Sequence, residues 1–273
     1  MTSEKTGVAA RDRTLELLWR HELGEPQGTR GPKQALSVDQ VVDAAIALVD
    51  EDGIGALSMR RVSDRLGIGA MSLYTYVPGK AELIDLMIDQ VIGEIPLRVH
   101  EGAVRQRLET LARDDWSHYE RHPWFLQVDT SRPPIGPNLS DRYENQLSAV
   151  EGVGLSDLEM DSVITLIAGF TAGAARAAFG AGESVRASGQ TDEQWWEANL
   201  PVLTRVMDGG RYPVSNRVGT TVGVEYNAIA DPAAAFEFGL ARVLEGLEQF
   251  IERTDRPGPR EQRRSRARPR VNP

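Results

Sequence analysis

The chain has 273 residues, enough for one large domain or two modest ones with a buried core. It contains no cysteine, which excludes a disulfide framework and thiolate zinc sites. There is no run of 18 or more apolar residues, and the first residues lack the apolar core of a secretory signal. We therefore expect a cytoplasmic protein that does not enter a membrane.

The formal net charge of −9 is unevenly distributed along the chain. Residues 57–80 carry about +3 and the arginine-rich residues 253–273 carry about +6, so the remainder is strongly acidic. This pattern is typical of a protein that contacts DNA at one end, because an acidic body is repelled by the phosphates.

Residues 1–36 are predicted to be a flexible N-terminal extension. A weak helical pattern over 11–19 is followed by the Gly- and Pro-rich linker 24–32. Arg30 and Lys33 could lie in a minor groove as an N-terminal arm, although a solvated linker explains them better.

The first strong helix signal begins at Ser37, which forms a capping box with Gln40, and this helix ends at Gly53. Two short predicted helices follow, over 58–66 and 70–77, separated by a glycine-bounded turn. This spacing is typical of a helix-turn-helix, whose second helix enters the major groove of DNA.

After a break at Pro78-Gly79, a longer helix is predicted over 80–95, which completes a compact head at 37–95. The remaining residues 96–252 are predicted to form a larger helical body. Its helices are expected at about 101–121, 139–150, 156–181, 191–207 and 232–252. A mobile loop is expected at 208–231 and a disordered tail at 253–273. The fold class is therefore all-α.

Three segments of the head resemble the tetracycline-repressor (TetR) family of bacterial transcriptional regulators. They are residues 43–53, 57–67 and 72–80, and the last contains the specific pattern Leu-Tyr-x-x-Val followed by a turn and Lys. The body is similar to the tetracycline-repressor type of C-terminal domain, more weakly, at 131–133, 144–147, 169–173 and 236–240.

The resemblance implies a homodimer held by a four-helix bundle, built from 156–181 and 232–252. It also implies a palindromic double-stranded operator, no cofactor, and a small-molecule effector in each body, such as an antibiotic or another lipophilic compound. The effector would release the operator by changing the separation of the two recognition helices.

By the same resemblance, a group of head residues is expected to contact DNA. They are Ser58, Arg60, Ala70, Met71, Ser72, Tyr74, Thr75, Tyr76 and Lys80. Ser72, Thr75 and Tyr76 would face the groove, while Tyr74 and Lys80 would contact phosphates. The alternative for any single residue is a solvated polar position.

Several body residues could bind an effector, and plain core packing explains the aromatic ones equally well. They are Trp116, Tyr119, Trp124, Phe125, Phe170 and Arg176. Arg176 lies within a small-residue helix, where its charge needs a partner. His118 and His122 lie at i, i+4, a spacing that could hold a metal, but an amphipathic helix face is favoured and no metal is predicted.

The sequence thus predicts a ligand-responsive regulator, most simply a repressor. Activators and constitutive DNA-binding proteins without an effector would carry the same head. An all-α enzyme is disfavoured, because the chain has four histidines and neither a Gly-x-Ser-x-Gly motif nor a nucleotide-binding loop.

Overall fold

The computed structural model describes residues 13–23, 36–206, 210–226, 228 and 230–254, without the side chains of 181–187 and 192. The predicted linker and the predicted arginine tail lie outside these residues, apart from the tail's first two positions. The described residues form helices joined by turns and contain no strand.

Ten helices make up the head and the body. They are α1 (Val38–Asp52), α2 (Met59–Leu66), α3 (Ala70–Tyr76), α4 (Lys80–Ile92), α5 (Val104–Arg121), α6 (Pro137–Ser148), α7 (Asp157–Ser188), α8 (Asp192–Val206), α9 (Pro213–Tyr226) and α10 (Pro232–Thr254). Residues 13–18 and Arg20–Leu23 are also helical.

Two predictions about these elements were wrong. The mobile loop expected at 208–231 contains the helix α9. Its proline is the first helical residue, a position where proline is compatible with a helix, and no proline follows within α9. Gly219 and Gly223 suggested a loop, but glycine within a helix costs only about 1 kcal/mol. Residues 13–23 are not a flexible extension, because they form helix and pack on the head.

The core of the head lies between α1, α3 and α4. Its fully buried side chains include Val42, Leu73 and Met87, each excluded from solvent. Leu18, from the segment before the head, and Trp124, from a short 3-10 turn after α5, join this same core. The head therefore does not end at its predicted boundaries, and both flanking segments are part of its packing.

A set of polar contacts joins the head to the body near the end of α5. Trp124 Nε1 donates to Asp50 Oδ1 at 2.7 Å. The buried ring of His122 lies between two carboxylates, with Nδ1 2.9 Å from Asp50 Oδ1 and Nε2 3.0 Å from Glu94 Oε2. The end of α5 is therefore bonded both to α1 and to the residue that follows the end of α4 by two positions.

A second contact joins α4 to the first turn of α6. The buried Asp89 carboxylate accepts hydrogen bonds from the Leu139 backbone N–H at 3.0 Å and from Asn138 Nδ2 at 3.1 Å. A carboxylate is favourable at a helix N-terminus, where backbone N–H groups lack partners. Gly136 allows this approach, because a Cβ there would lie 2.3 Å from Asp89 Oδ1.

In the body, α7 packs against α5 and α10. Trp116 of α5 stacks on Phe236 of α10 with ring centroids 4.2 Å apart. Among the described residues, one stretch, Asp157–Gly180 of α7, has the length and apolar composition to cross a membrane. That composition also suits a core helix, and the buried Ile164 and Ile167 place it in the core of the body.

Candidate functional site

The α2–turn–α3 unit is shaped by local sequence. The Ser58 hydroxyl caps α2 by accepting from the Arg61 backbone N–H at 3.2 Å. Gly67 ends α2 in the left-handed region at φ +66°, which strains any residue with a Cβ. After Gly69 the chain enters α3, so the predicted helix-turn-helix is present with the predicted break.

One side of α3 is exposed, and we call it the reading face. It consists of Ala70, Met71, Ser72, Tyr74 and Thr75. Met71 is 80% exposed and Tyr74 is 42% exposed, which is unusual for large apolar or aromatic side chains on a short helix. The Thr75 hydroxyl donates to the Ser72 carbonyl at 2.6 Å, so it is already hydrogen-bonded within the helix.

Tyr76 was predicted to face the groove, but its side chain is turned inward. It is only 9% exposed and lies in the core of the head, beside the fully buried Val77. The reason is its position three residues after Leu73, which places both side chains on the inward face of α3. Substitution of Tyr76 would therefore report on the packing of the head more than on DNA contact.

The basic residues of the head fall into two groups. Arg60 and Lys80 are exposed, and the Arg60 side chain lies 3.9 Å from Asp64, too far for a hydrogen bond. Arg61 and Arg65 instead pair with acidic residues of α1. These acids precede residues 57–80, so they were not included in the charge of about +3 counted for that stretch. Arg61 pairs with Asp52 at 2.6 Å, and Arg65 binds both oxygens of Glu51 at 2.6 and 2.7 Å.

A cluster of polar side chains is buried in the body, and we call it the buried polar cluster. It comprises Asp115, His118 and Tyr119 of α5 and Arg142 of α6, and the buried Thr171 lies on the adjacent helix α7. Arg142 Nη2 donates to Asp115 Oδ1 at 2.7 Å, and both side chains are less than a tenth exposed.

Several polar atoms of these side chains lack hydrogen-bond partners among the described residues. The unpaired atoms are Arg142 Nε and Nη1, both ring nitrogens of His118, and Thr171 Oγ1. Leaving such groups unpaired in a protein interior costs about 1–3 kcal/mol each. Native proteins supply partners for such groups from bound water or from a ligand, so these side chains could donate to and accept from a polar molecule.

Burial controls the protonation of the cluster. Burial, together with electrostatic interactions with His122, Arg121 and Arg142, lowers the pKa of His118 to about 3. Burial raises the pKa of Asp115, against the opposing effect of Arg142. The imidazole of His118 is therefore neutral at neutral pH and offers one donor and one acceptor.

We expect His118→Phe to make the protein less sensitive to acid. In the unfolded chain His118 binds a proton below its pKa of 6.5, whereas in the folded protein it stays neutral down to about pH 3. Protonation therefore favours the unfolded state, and the free energy of unfolding falls as pH falls from 7. Between pH 7 and pH 5 this amounts to about 2 kcal/mol, which the variant should not lose. Urea unfolding of both proteins at the two pH values measures it, and equal losses would show that His118 titrates normally.

The predicted effector residues are only partly brought together. Tyr119 and Phe125 lie beside His118, with the Phe125 ring centroid 5.0 Å from that of His118. Trp116 lies one turn before Tyr119 on α5 and stacks on α10, at the edge of this region.

The other three predicted effector residues have structural partners. Trp124 lies in the core of the head and bonds to Asp50, because its turn docks on α1. Phe170 packs between α7 and α10, where a Cβ on Gly239 would lie 2.6 Å from it. Arg176, expected to need a partner for its charge, is exposed, and its Nε donates to the backbone carbonyl of Leu126 at 3.1 Å.

Sequence reasoning did not identify Asp115, Arg142 and Thr171 as buried polar residues. A signal was available for Arg142, because it falls three residues after Leu139 and seven before Ala149, on the inward stripe of α6. A charged residue at a core position of an amphipathic helix requires a buried partner. In the described part of the chain, no group of three or more acidic or histidine side chains could hold a metal.

The chain is similar to known regulators over nearly its whole length. The family described as bacterial regulatory proteins, tetR family, matches residues 41–87, and the tetracyclin repressor-like C-terminal domain matches residues 95–251. The HTH-type transcriptional repressor DrrR1 of Streptomyces coeruleorubidus is 43% identical over 92% of this chain and 90% of its own length. The class A tetracycline repressor of Escherichia coli transposon 1721 is 25% identical over 78% of this chain and 90% of its own.

Solved structures show the same fold. Apo ActR from Streptomyces coelicolor superposes with a TM-score of 0.64 at 23% identity, covering 82% of this chain and 99% of ActR. ActR in complex with actinorhodin superposes with a TM-score of 0.63 at 25% identity, covering 78% of this chain and 96% of ActR. These relatives are regulators and not enzymes. The chain therefore belongs to the TetR family and is a DNA-binding transcriptional regulator.

Proposed function

We propose that this protein is a repressor that binds a palindromic operator as a homodimer and is released by a small-molecule effector. The observation that carries the proposal is the reading face, which exposes Met71 and Tyr74 on the second helix of a helix-turn-helix. In this motif that helix lies in the major groove. Identity of 43% to a repressor favours repression over activation.

For DNA contact we propose the reading face together with Ser58, Arg60 and Lys80. Met71 and Ala70 offer apolar contact to a thymine methyl, and the hydroxyls of Ser72 and Tyr74 suit phosphate or base edges. The two exposed cations add attraction to the backbone. The protein would act in the cytoplasm, where the operator is.

The homodimer is supported by apolar surface left open on α7 and α10. Leu166 is 48% exposed, Phe238 is 67% exposed and Phe250 is 39% exposed. Gly169 and Gly173 on α7 are also exposed, and small residues let a second helix approach closely. A two-fold dimer built on these helices places the recognition helices about 34–36 Å apart, one turn of DNA.

We propose that the effector binds at the buried polar cluster, next to Tyr119 and Phe125. Arg142 and His118 have unpaired polar atoms there, and these would bond to oxygen or nitrogen atoms of the ligand. The neighbouring rings would pack on its apolar part. ActR, which shares this fold, has been solved with actinorhodin.

Release would follow from movement of α5. Asp115, His118 and Tyr119 lie on α5 within two turns of its end, where His122 is held between Asp50 and Glu94. An effector that binds better when α5 is displaced would tilt α1 and α4 and change the separation of the reading faces. The effect requires different affinities for the two arrangements.

Run-off transcription from the intergenic DNA that flanks the gene tests repression directly. Added protein should lower the transcript level, and a compound that binds the body should restore it; actinorhodin and tetracycline are the first two probes. A higher transcript level would identify an activator, and an unchanged level would contradict regulation at this DNA.

A further inference from the structure

Residues 13–23 form a segment that links the head to the body, and we call it the strap. Leu18 is 3% exposed and belongs to the core of the head. On its body side, Trp19 Nε1 donates to the Ile135 carbonyl at 2.8 Å, in the loop that leads into α6. On its head side, Arg20 Nε donates to Asp39 Oδ1 at 3.0 Å, in the first turn of α1.

The strap runs along the junction between head and body, and Leu18 and Arg20 line a cleft there. A cavity of about 310 Å³ lies under it, between α4 and the start of α6, and Leu86, Asp89 and Asn138 form part of its wall. Leu139 and Trp124 of the body also pack against the core of the head. The strap adds a polar link to the body, the hydrogen bond from Trp19 Nε1 to the Ile135 carbonyl, to its own packing on the head.

Arg20 interacts with acidic residues on two helices of the head, α1 and α4. It pairs with Asp39, and His21 Nε2 lies 3.3 Å from the same carboxylate. Its charge also reaches Asp89 of α4, where burial raises the pKa of the carboxyl and Arg20 opposes that rise. Asp89 is the residue that caps α6, so one side chain of the strap acts on both sides of the junction.

We propose that the strap is a brace that limits the angle between head and body and thereby sets the half-site spacing that the dimer accepts. This inference rests on the proposed function, since spacing matters only for a two-fold operator. The strap lies outside the residues that match the two family domains, 41–87 and 95–251.

The test compares the full-length protein with the double variant Trp19→Ala/Arg20→Gln. Binding is measured on the natural operator and on operators with base pairs inserted between the half-sites. Wild type should bind the lengthened operators about tenfold more weakly, and the variant should lose most of that penalty while keeping its affinity for the natural operator within about threefold. Leu23→Ala, on a side chain that is 68% exposed, is the matched control and should behave as wild type.

Hydrogen exchange provides a readout that does not require DNA. In the double variant, amides of the last turns of α4 and the first turn of α6 should exchange faster, while α7 and α10 stay unchanged. Trp19→Phe, which keeps the ring and removes only the indole N–H, should show a smaller change in the same helices. Unchanged spacing selectivity together with unchanged exchange would overturn the brace. If wild type binds no DNA, the proposed function fails, and exchange alone decides on the brace.

Discussion

Met71→Glu is expected to reduce operator affinity by about 100-fold or more. Met71 is 80% exposed at the centre of the reading face, so the variant should fold normally. A carboxylate at this position would be placed among DNA phosphates and base acceptors, and like charges brought together at an interface cost several kcal/mol. Fluorescence anisotropy on labelled operator measures the loss, and thermal unfolding confirms the fold.

Val99→Glu is the matched control for this experiment. It introduces the same charge at a side chain that is 88% exposed, but in the loop between α4 and α5, away from the proposed dimer surface. Its operator affinity should stay within about twofold of wild type, because exposed charges beyond the Debye length are screened. If Met71→Glu bound as well as this control, α3 would not be the recognition helix.

Arg142→Met is expected to destabilise the protein by about 3–5 kcal/mol. The substitution leaves the Asp115 carboxylate buried without its partner, and breaking one side of a buried ion pair carries this cost. Urea unfolding at fixed protein concentration measures it, because the stability of a dimer depends on concentration.

The double variant Asp115→Leu/Arg142→Met separates the cost of an unpaired charge from the value of the pair. Replacing both partners by apolar residues of similar volume is often close to neutral, so most of the lost stability should return. Binding of effector should not return, because the donors of Arg142 are gone. If both variants were equally unstable, the site would depend on packing and not on the ion pair.

The head could be predicted closely because its signals are local. The capping box of Ser37 and Gln40 is present, and Gly53 and Gly67 end α1 and α2 as predicted. Each signal acts within one turn of helix, so no knowledge of the tertiary structure is needed.

The errors concern contacts between distant parts of the chain. The inward turn of Tyr76 depends on how α3 packs on α1 and α4, and the docking of Trp124 depends on a partner, Asp50, far away in sequence. The unpaired polar atoms of the body come from side chains on three helices, and they can be identified only from the three-dimensional structure. The strap was predicted as part of a flexible extension with a weak helical pattern, because the contacts that hold it against the rest of the protein are long-range.

The most direct test is an anisotropy titration of wild-type protein on the intergenic DNA flanking its gene and on a scrambled duplex, at two salt concentrations. We expect selective binding to the intergenic DNA by at least about 1,000-fold, with an affinity that falls as salt rises. Equal and weak binding to both duplexes would contradict sequence-specific regulation by this protein.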